Sequence, residues 1–100
     1  MSTMLYLMAQ YNGQALVAVE TVCKDYFPHL SLDKFLRKTA NGEIKLPVVR
    51  IEASQKAAKG VHLTDLATYI EARREAAIKE LQQLTKGSVA ANADRKDEAA

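Results

Sequence analysis

The stretch SLDKFLRKTANGEIKLPVVRIEASQKAAKGVHL, residues 31–63, decides the fold. It opens with a helix signal. Ser31 is a good N-cap, because its hydroxyl can accept from a free amide of the first turn. Leu32, Phe35, Leu36, Thr39 and Ala40 follow at the spacing of one helical face. Asn41-Gly42 ends the helix, and Gly42 suits a left-handed cap. LPVVRI, residues 46–51, then reads as a strand, with Pro47 tolerated only near its start. VHL, residues 61–63, reads as its partner. Between them, SQKAAKG (residues 54–60) is the loop of a β-hairpin, looser than a tight two-residue turn.

Working towards the N-terminus, Val19, Val22, Cys23, Tyr26 and Phe27 form one face of another helix, which Pro28 ends by removing a donor. Only Pro28-His29-Leu30 separates the two helices, the arrangement of a helix-turn-helix. Residues 15–17 suggest a short strand. Residues 3–11, TMLYLMAQY, read as a short helix capped by Ser2 or Thr3 and stopped by Gly13. The alternative is a hairpin strand, since Asn12-Gly13 is a strong turn pair.

Towards the C-terminus, Thr64 is a good N-cap and Asp65 places negative charge at a helix start. The helix is expected to run over residues 64–86, about 33 Å at 1.5 Å per residue. Leu63, Ile70, Ala77 and Leu84 are spaced by seven, and Ala67, Arg74 and Leu81 form a companion series. This is a short heptad seam with a polar defect at Arg74. Such a helix outruns a small core, so Leu63, Ile70, Arg74, Ala77, Leu81 and Leu84 are candidates for self-association. Residues 87–100, GSVAANADRKDEAA, are small and charged and are expected to be a disordered tail. The expected fold class is mostly α with a small β-hairpin: a winged helix-turn-helix over residues 1–86, ending in the long C-terminal helix.

The chain has 100 residues, 48% of them apolar, enough for one modest core. Formal net charge is only +2, but its distribution is uneven. Residues 34–62 hold seven basic and two acidic groups; the first 33 residues hold one and three, and the last 38 hold six and seven. A central basic segment is the footprint of a phosphate-binding surface, although an ordinary solvated surface also carries charge runs. The single cysteine, Cys23, precludes an intrachain disulfide and reads as a small core residue. The N-terminus does not read as a signal peptide, and no apolar run approaches a membrane span. A cytoplasmic, nucleoid-associated protein without membrane contact is expected.

On the helix over residues 32–40, Lys34, Arg37, Lys38 and Asn41 recur at helical spacing opposite the apolar face. A helix enters the DNA major groove and reads base edges with its outer side. Arg37 suits a bidentate contact to guanine; Asn41 suits adenine, or serves as a cap. Ser31 and Lys34 lie where phosphate is held near a helix start. Solvated helix faces are usually mixed in sign, whereas Asp33 is the sole acid here against three cations. In the hairpin, Lys56 and Lys59 are placed to meet phosphates, Gln55 has donor and acceptor for a minor-groove edge, and Arg50 lies on the strand leading in. The small residues Ser54, Ala57, Ala58 and Gly60 would let backbone approach a groove. His62 sits beside no acid–nucleophile set and reads as a strand residue at the base of the loop, His29 reads as an exposed turn residue, and no glycine-rich phosphate loop occurs, so no enzyme activity, metal or cofactor is expected.

The chain resembles the pyocin activator protein family, PrtN. The resemblance covers roughly residues 4–79 and is carried by LMAQY, VCKDYF, GEIKLPVVR, SQKAAKGVHL and DLATYI. More distantly, the order of basic helix, LP-containing strand and wing is similar to excisionase and MerR-type winged helices. The resemblance implies a DNA-binding transcription activator of phage-derived genes, including bacteriocin and lysis genes, in the DNA-damage response. It implies double-stranded promoter repeats as the partner. A homodimer or head-to-tail oligomer is expected, with RNA polymerase a candidate contact. Two rival readings are an excisionase-like architectural protein that bends DNA, and a protein-interaction adaptor using the C-terminal helix.

Overall fold

The computed structural model describes residues 2–54 and 57–92, with side chains through residue 85. Its elements are α1 (Thr3–Gln10), β1 (Leu16–Ala18), α2 (Val19–Tyr26), α3 (Leu32–Ala40), β2 (Val49–Arg50), β3 (Lys59–His62) and α4 (Leu63–Asn92). The fold is mostly α with a small antiparallel sheet and a long C-terminal helix. It divides into two compact units, Met1–Ile70 and Glu71–Ala100.

The open choice at the N-terminus resolves as a helix. The Ser2 side chain accepts from the Met4 amide. Asn12-Gly13 is a helix stop rather than a hairpin turn. Both residues are left-handed, at φ 56° and 74°. Gly13 N–H donates back to the Met8 carbonyl at 2.8 Å, closing the end of α1. Two side-chain hydrogen bonds tie α1 and its cap to α2. Tyr11 Oη donates to Asp25 Oδ2 at 2.6 Å, and Tyr26 Oη donates to Gln10 Oε1 at 2.8 Å. Burial and the neighbouring Asp25 carboxylate both push the Tyr11 phenol well above its ordinary value.

The sheet has three strands in the order β1-β3-β2. The expected two-stranded hairpin therefore gains β1, and β3 becomes the central strand. Leu16 pairs with His62, Val17 with Val61 and Ala18 with Gly60. On the other side, Val49 pairs with Gly60 and Arg50 with Lys59. The strand expected over residues 46–51 is shorter than its sequence suggests. Ile51 N–H donates to the Ala58 carbonyl at 3.0 Å, so 51/58 and 49/60 are hydrogen-bonding positions. The next such position along the ladder is 47/62, and Pro47 has no N–H to give it. Residues 46–48 nonetheless stay pinned, because Ile44 and Leu46 are buried in the core and Val48 packs against it.

Phe35 is the centre of the first unit. It is fully buried, with its ring 4.8 Å from that of Phe27, which in turn lies 5.7 Å from Tyr69. Leu7, Val22, Val61, Leu63 and Leu66 are also fully buried in this core. Cys23 is buried there too, and burial pushes its thiol pKa up. Its Sγ contacts the Leu30 carbonyl at 3.6 Å, closing the turn between α2 and α3. A raised pKa and loss of solvent access suit packing, not nucleophilic chemistry.

The long helix begins one residue before the expected N-cap. Leu63 is already helical, and the cap is supplied by a strand residue: His62 Nδ1 accepts from Thr64 N–H at 3.1 Å. The helix also continues past residue 86, to Asn92. Gly87 weakens a helix by about 1 kcal/mol without ending it, and no proline follows. The remainder of the expected tail, residues 93–100, lies outside the described residues.

Candidate nucleic-acid interface

Residues 31–41 fold so that one face is spent on the core and the other is left to solvent. Ser31 caps α3: its Oγ accepts from Lys34 N–H at 3.2 Å and keeps its own proton to donate elsewhere. Phe35 fills the core, and Leu32 and Leu36 pack against it. Burying that stripe forces the opposite side outward. Lys34 and Arg37 are exposed there, and Lys38 is half-buried.

The end of α3 differs from its middle. Asn41 is the C-cap residue, and its side chain is engaged locally at both ends. Its Nδ2 donates to Glu43 Oε2 at 2.6 Å, and its Oδ1 accepts from Glu43 N–H at 3.0 Å. Of the two roles weighed for Asn41, the geometry matches the cap. Glu43 also approaches Lys38, with 3.8 Å between Oε1 and Nζ. That pair is solvent-exposed and contributes little to stability. Glu43 thus organises the helix end and partly neutralises Lys38; the sequence signal for it is the Asn-Gly-Glu run immediately after the helix.

On the sheet, Arg50 and Lys59 are direct cross-strand partners. Side chains alternate along a strand, so Lys59 shares a face with Val61, which is fully buried. Arg50 and Lys59 therefore extend the helix-facing side of the sheet beyond the core. There they line a groove of about 410 Å³ together with Leu36, Thr39 and Ala40 of α3 and Leu46, Pro47 and Val48. Both cations are expected on the hairpin, whereas this groove leaves no local signal in the sequence. Its apolar wall comes from the segment expected to be strand.

Two hairpin assignments change meaning or fall outside view. Gln55 and Lys56 lie outside the described residues. Gly60 belongs to the central strand, not to the loop tip. A Cβ there would stand 2.9 Å from Leu16 Cγ and 3.1 Å from the Val17 carbonyl oxygen. Its small size is required by the close approach of β1.

The residues expected to associate through the long helix divide in two. Leu63 is buried in the chain's own core, and Ile70 packs against it. Arg74 and Ala77 are exposed, and Leu81 and Leu84 are 63% and 70% exposed. Among the described residues, no helix is long and apolar enough to cross a membrane.

A family model described as pyocin activator protein PrtN matches residues 3–77. The chain belongs to the PrtN family. The matched span runs from the start of α1 well into α4 and contains every candidate DNA-contacting residue from Ser31 to Lys59, while Leu81 and Leu84 lie beyond it. PrtN membership supports a transcriptional activator role for pyocin genes. No curated protein and no solved structure matches the chain.

Proposed function

We propose that this PrtN-family chain is a sequence-specific, non-enzymatic DNA-binding activator of prophage-derived, pyocin-like genes, acting through a winged helix-turn-helix. The observation that carries the reading is the two-sidedness of α3: Phe35 is fully buried while Lys34 and Arg37 point to solvent from the opposite side. An exposed cationic face on a short helix, held rigidly from behind, has the shape and charge to lie in a major groove. Arg37 is the base reader, Lys34 and the Ser31 hydroxyl hold phosphate, and Arg50 and Lys59 hold the backbone from the sheet side. Asn41 shapes the helix end. The protein works in the cytoplasm, on the nucleoid.

The partner is double-stranded promoter DNA, bound by more than one copy of the chain. The exposed Leu81 and Leu84 support self-association, because isolated apolar side chains on a helix gain from pairing with a second copy. Contact with RNA polymerase distinguishes an activator from a protein that only bends DNA. Footprinting on DNA upstream of bacteriocin and lysis genes, at two salt concentrations, tests the binding. Adding purified polymerase to the same template tests the activation. Protection with stimulated transcription is the expected result. Protection and bending without stimulation favours the architectural reading, and no salt-dependent protection removes the DNA-binding reading altogether.

A further inference from the structure

We propose that Arg50 and Lys59 together form a two-pronged seat for one phosphate of the DNA backbone, with the adjoining deoxyribose lying against the lip formed by Leu46, Pro47 and Val48. The proposal rests on the DNA-binding reading above and specifies how the sheet side of the interface makes its contact. Residues 51 and 58 hold a hydrogen-bonding position of the ladder, so 50 and 59 hold the adjacent non-hydrogen-bonded one. In such pairs the two Cα atoms come within about 4.5 Å and the side chains stand closest together. A phosphate placed between the two side chains would accept one charge-assisted hydrogen bond from each.

The surroundings specify the kind of anion. Arg50, exposed, and Lys59, half-buried, line an open groove of about 410 Å³ whose remaining walls are Leu36, Thr39, Ala40, Leu46, Pro47 and Val48. A free inorganic anion would leave the apolar lining in water. A sugar-phosphate presents a charged end to the cations and a largely apolar ring edge to the leucine, proline and valine. The groove also adjoins α3, whose exposed cations are assigned to the same duplex. One phosphate held here sets the register at which Arg37 meets the bases.

The test is the salt dependence of binding to mixed-sequence duplex DNA, read by fluorescence anisotropy. It compares wild type, Arg50→Met, Lys59→Met, the double Met variant, and the exchanged pair Arg50→Lys/Lys59→Arg. If the two cations share one phosphate, the double Met variant lowers the slope of log K against log salt by about 0.9, and the single losses do not add. The exchanged pair keeps both charges and should keep the wild-type slope. A slope change of about 1.8 with additive losses means two separate phosphates and overturns the shared seat. An unchanged slope in the double Met variant also overturns it, while wild type still binds DNA through α3. Wild type without salt-dependent binding is a different failure, because it removes the underlying reading as well.

Discussion

A methyl group added at Gly60 meets one backbone atom and two atoms of the Leu16 side chain. It would lie 2.9 Å from Leu16 Cγ, 3.1 Å from the Val17 carbonyl oxygen and 3.3 Å from Leu16 Cδ2. The Val17 oxygen belongs to the backbone of the neighbouring strand, and Leu16 Cγ is a branch point rather than a flexible tip. Two terms oppose each other in Gly60→Ala. Losing glycine's freedom in the unfolded chain stabilises by about 0.4–1 kcal/mol. Overpacking a site that must shift costs about 1–3 kcal/mol. The overlap wins, leaving a net loss of about 1–2 kcal/mol, which for a domain of this size lowers Tm by about 4–8 °C per kcal/mol. Urea unfolding followed by circular dichroism measures the loss as a lower midpoint at constant m-value. A double-mutant cycle with Leu16→Ala isolates its cause. With Leu16 shortened, Gly60→Ala should cost about 1 kcal/mol less, a coupling expected only of residues in contact. A Gly60→Ala variant as stable as wild type but weaker on DNA would refute the packing argument, and would restore a groove-approach role for the glycine.

Alkaline pH should destabilise the protein. The Tyr11 and Tyr26 phenols and the Cys23 thiol all have folded pKa values above their ordinary ones, chiefly because burial disfavours their charged forms. For Tyr11, whose ordinary value is 10.0, the contribution is complete below that pH and lost as pH rises towards the folded value. Tyr11→Phe should flatten this alkaline decline and lower neutral-pH stability by about 1 kcal/mol, less than is usual for a hydrogen bond to a carboxylate because Asp25 is exposed. Melting curves across the alkaline range check both effects. Ser31→Ala should cost about 1 kcal/mol by leaving the Lys34 amide without its cap. Ser31→Asp restores the cap in a thermal melt, but should weaken DNA binding by bringing an anion to the phosphate side.

Most of the helical architecture was legible because its signals are local. Ser31, Pro28, Gly42 and the stripe through Phe35 each act over one or two turns, and α3 lies between the residues they mark. The sheet was less legible because its order depends on residues far apart. Only the three-dimensional pairing shows that β3 lies between β1 and β2, and so that Gly60 is enclosed by Leu16. The missing Pro47 donor, visible in the sequence, shortens β2 only once the register with His62 is known. The His62 cap carries no sequence signal, because histidine is an uncommon N-cap and the Thr64 beside it is a favoured one. The exposed cations of α3 were readable from spacing alone. The groove beside them was not, since it needs the return of residues 46–48 past the helix end.

The central claim is that the outer face of α3 reads DNA sequence. The direct measurement is the affinity of wild type and Arg37→Ala for a footprinted pyocin-gene promoter element and for mixed-sequence DNA, each across a salt series. The account predicts that Arg37→Ala narrows the gap between the two DNAs by about 1–3 kcal/mol. It also predicts a promoter affinity for wild type that falls steeply with salt. Equal weakening of Arg37→Ala on both DNAs would contradict the account, reducing Arg37 to one more phosphate contact and leaving α3 without its assigned reader.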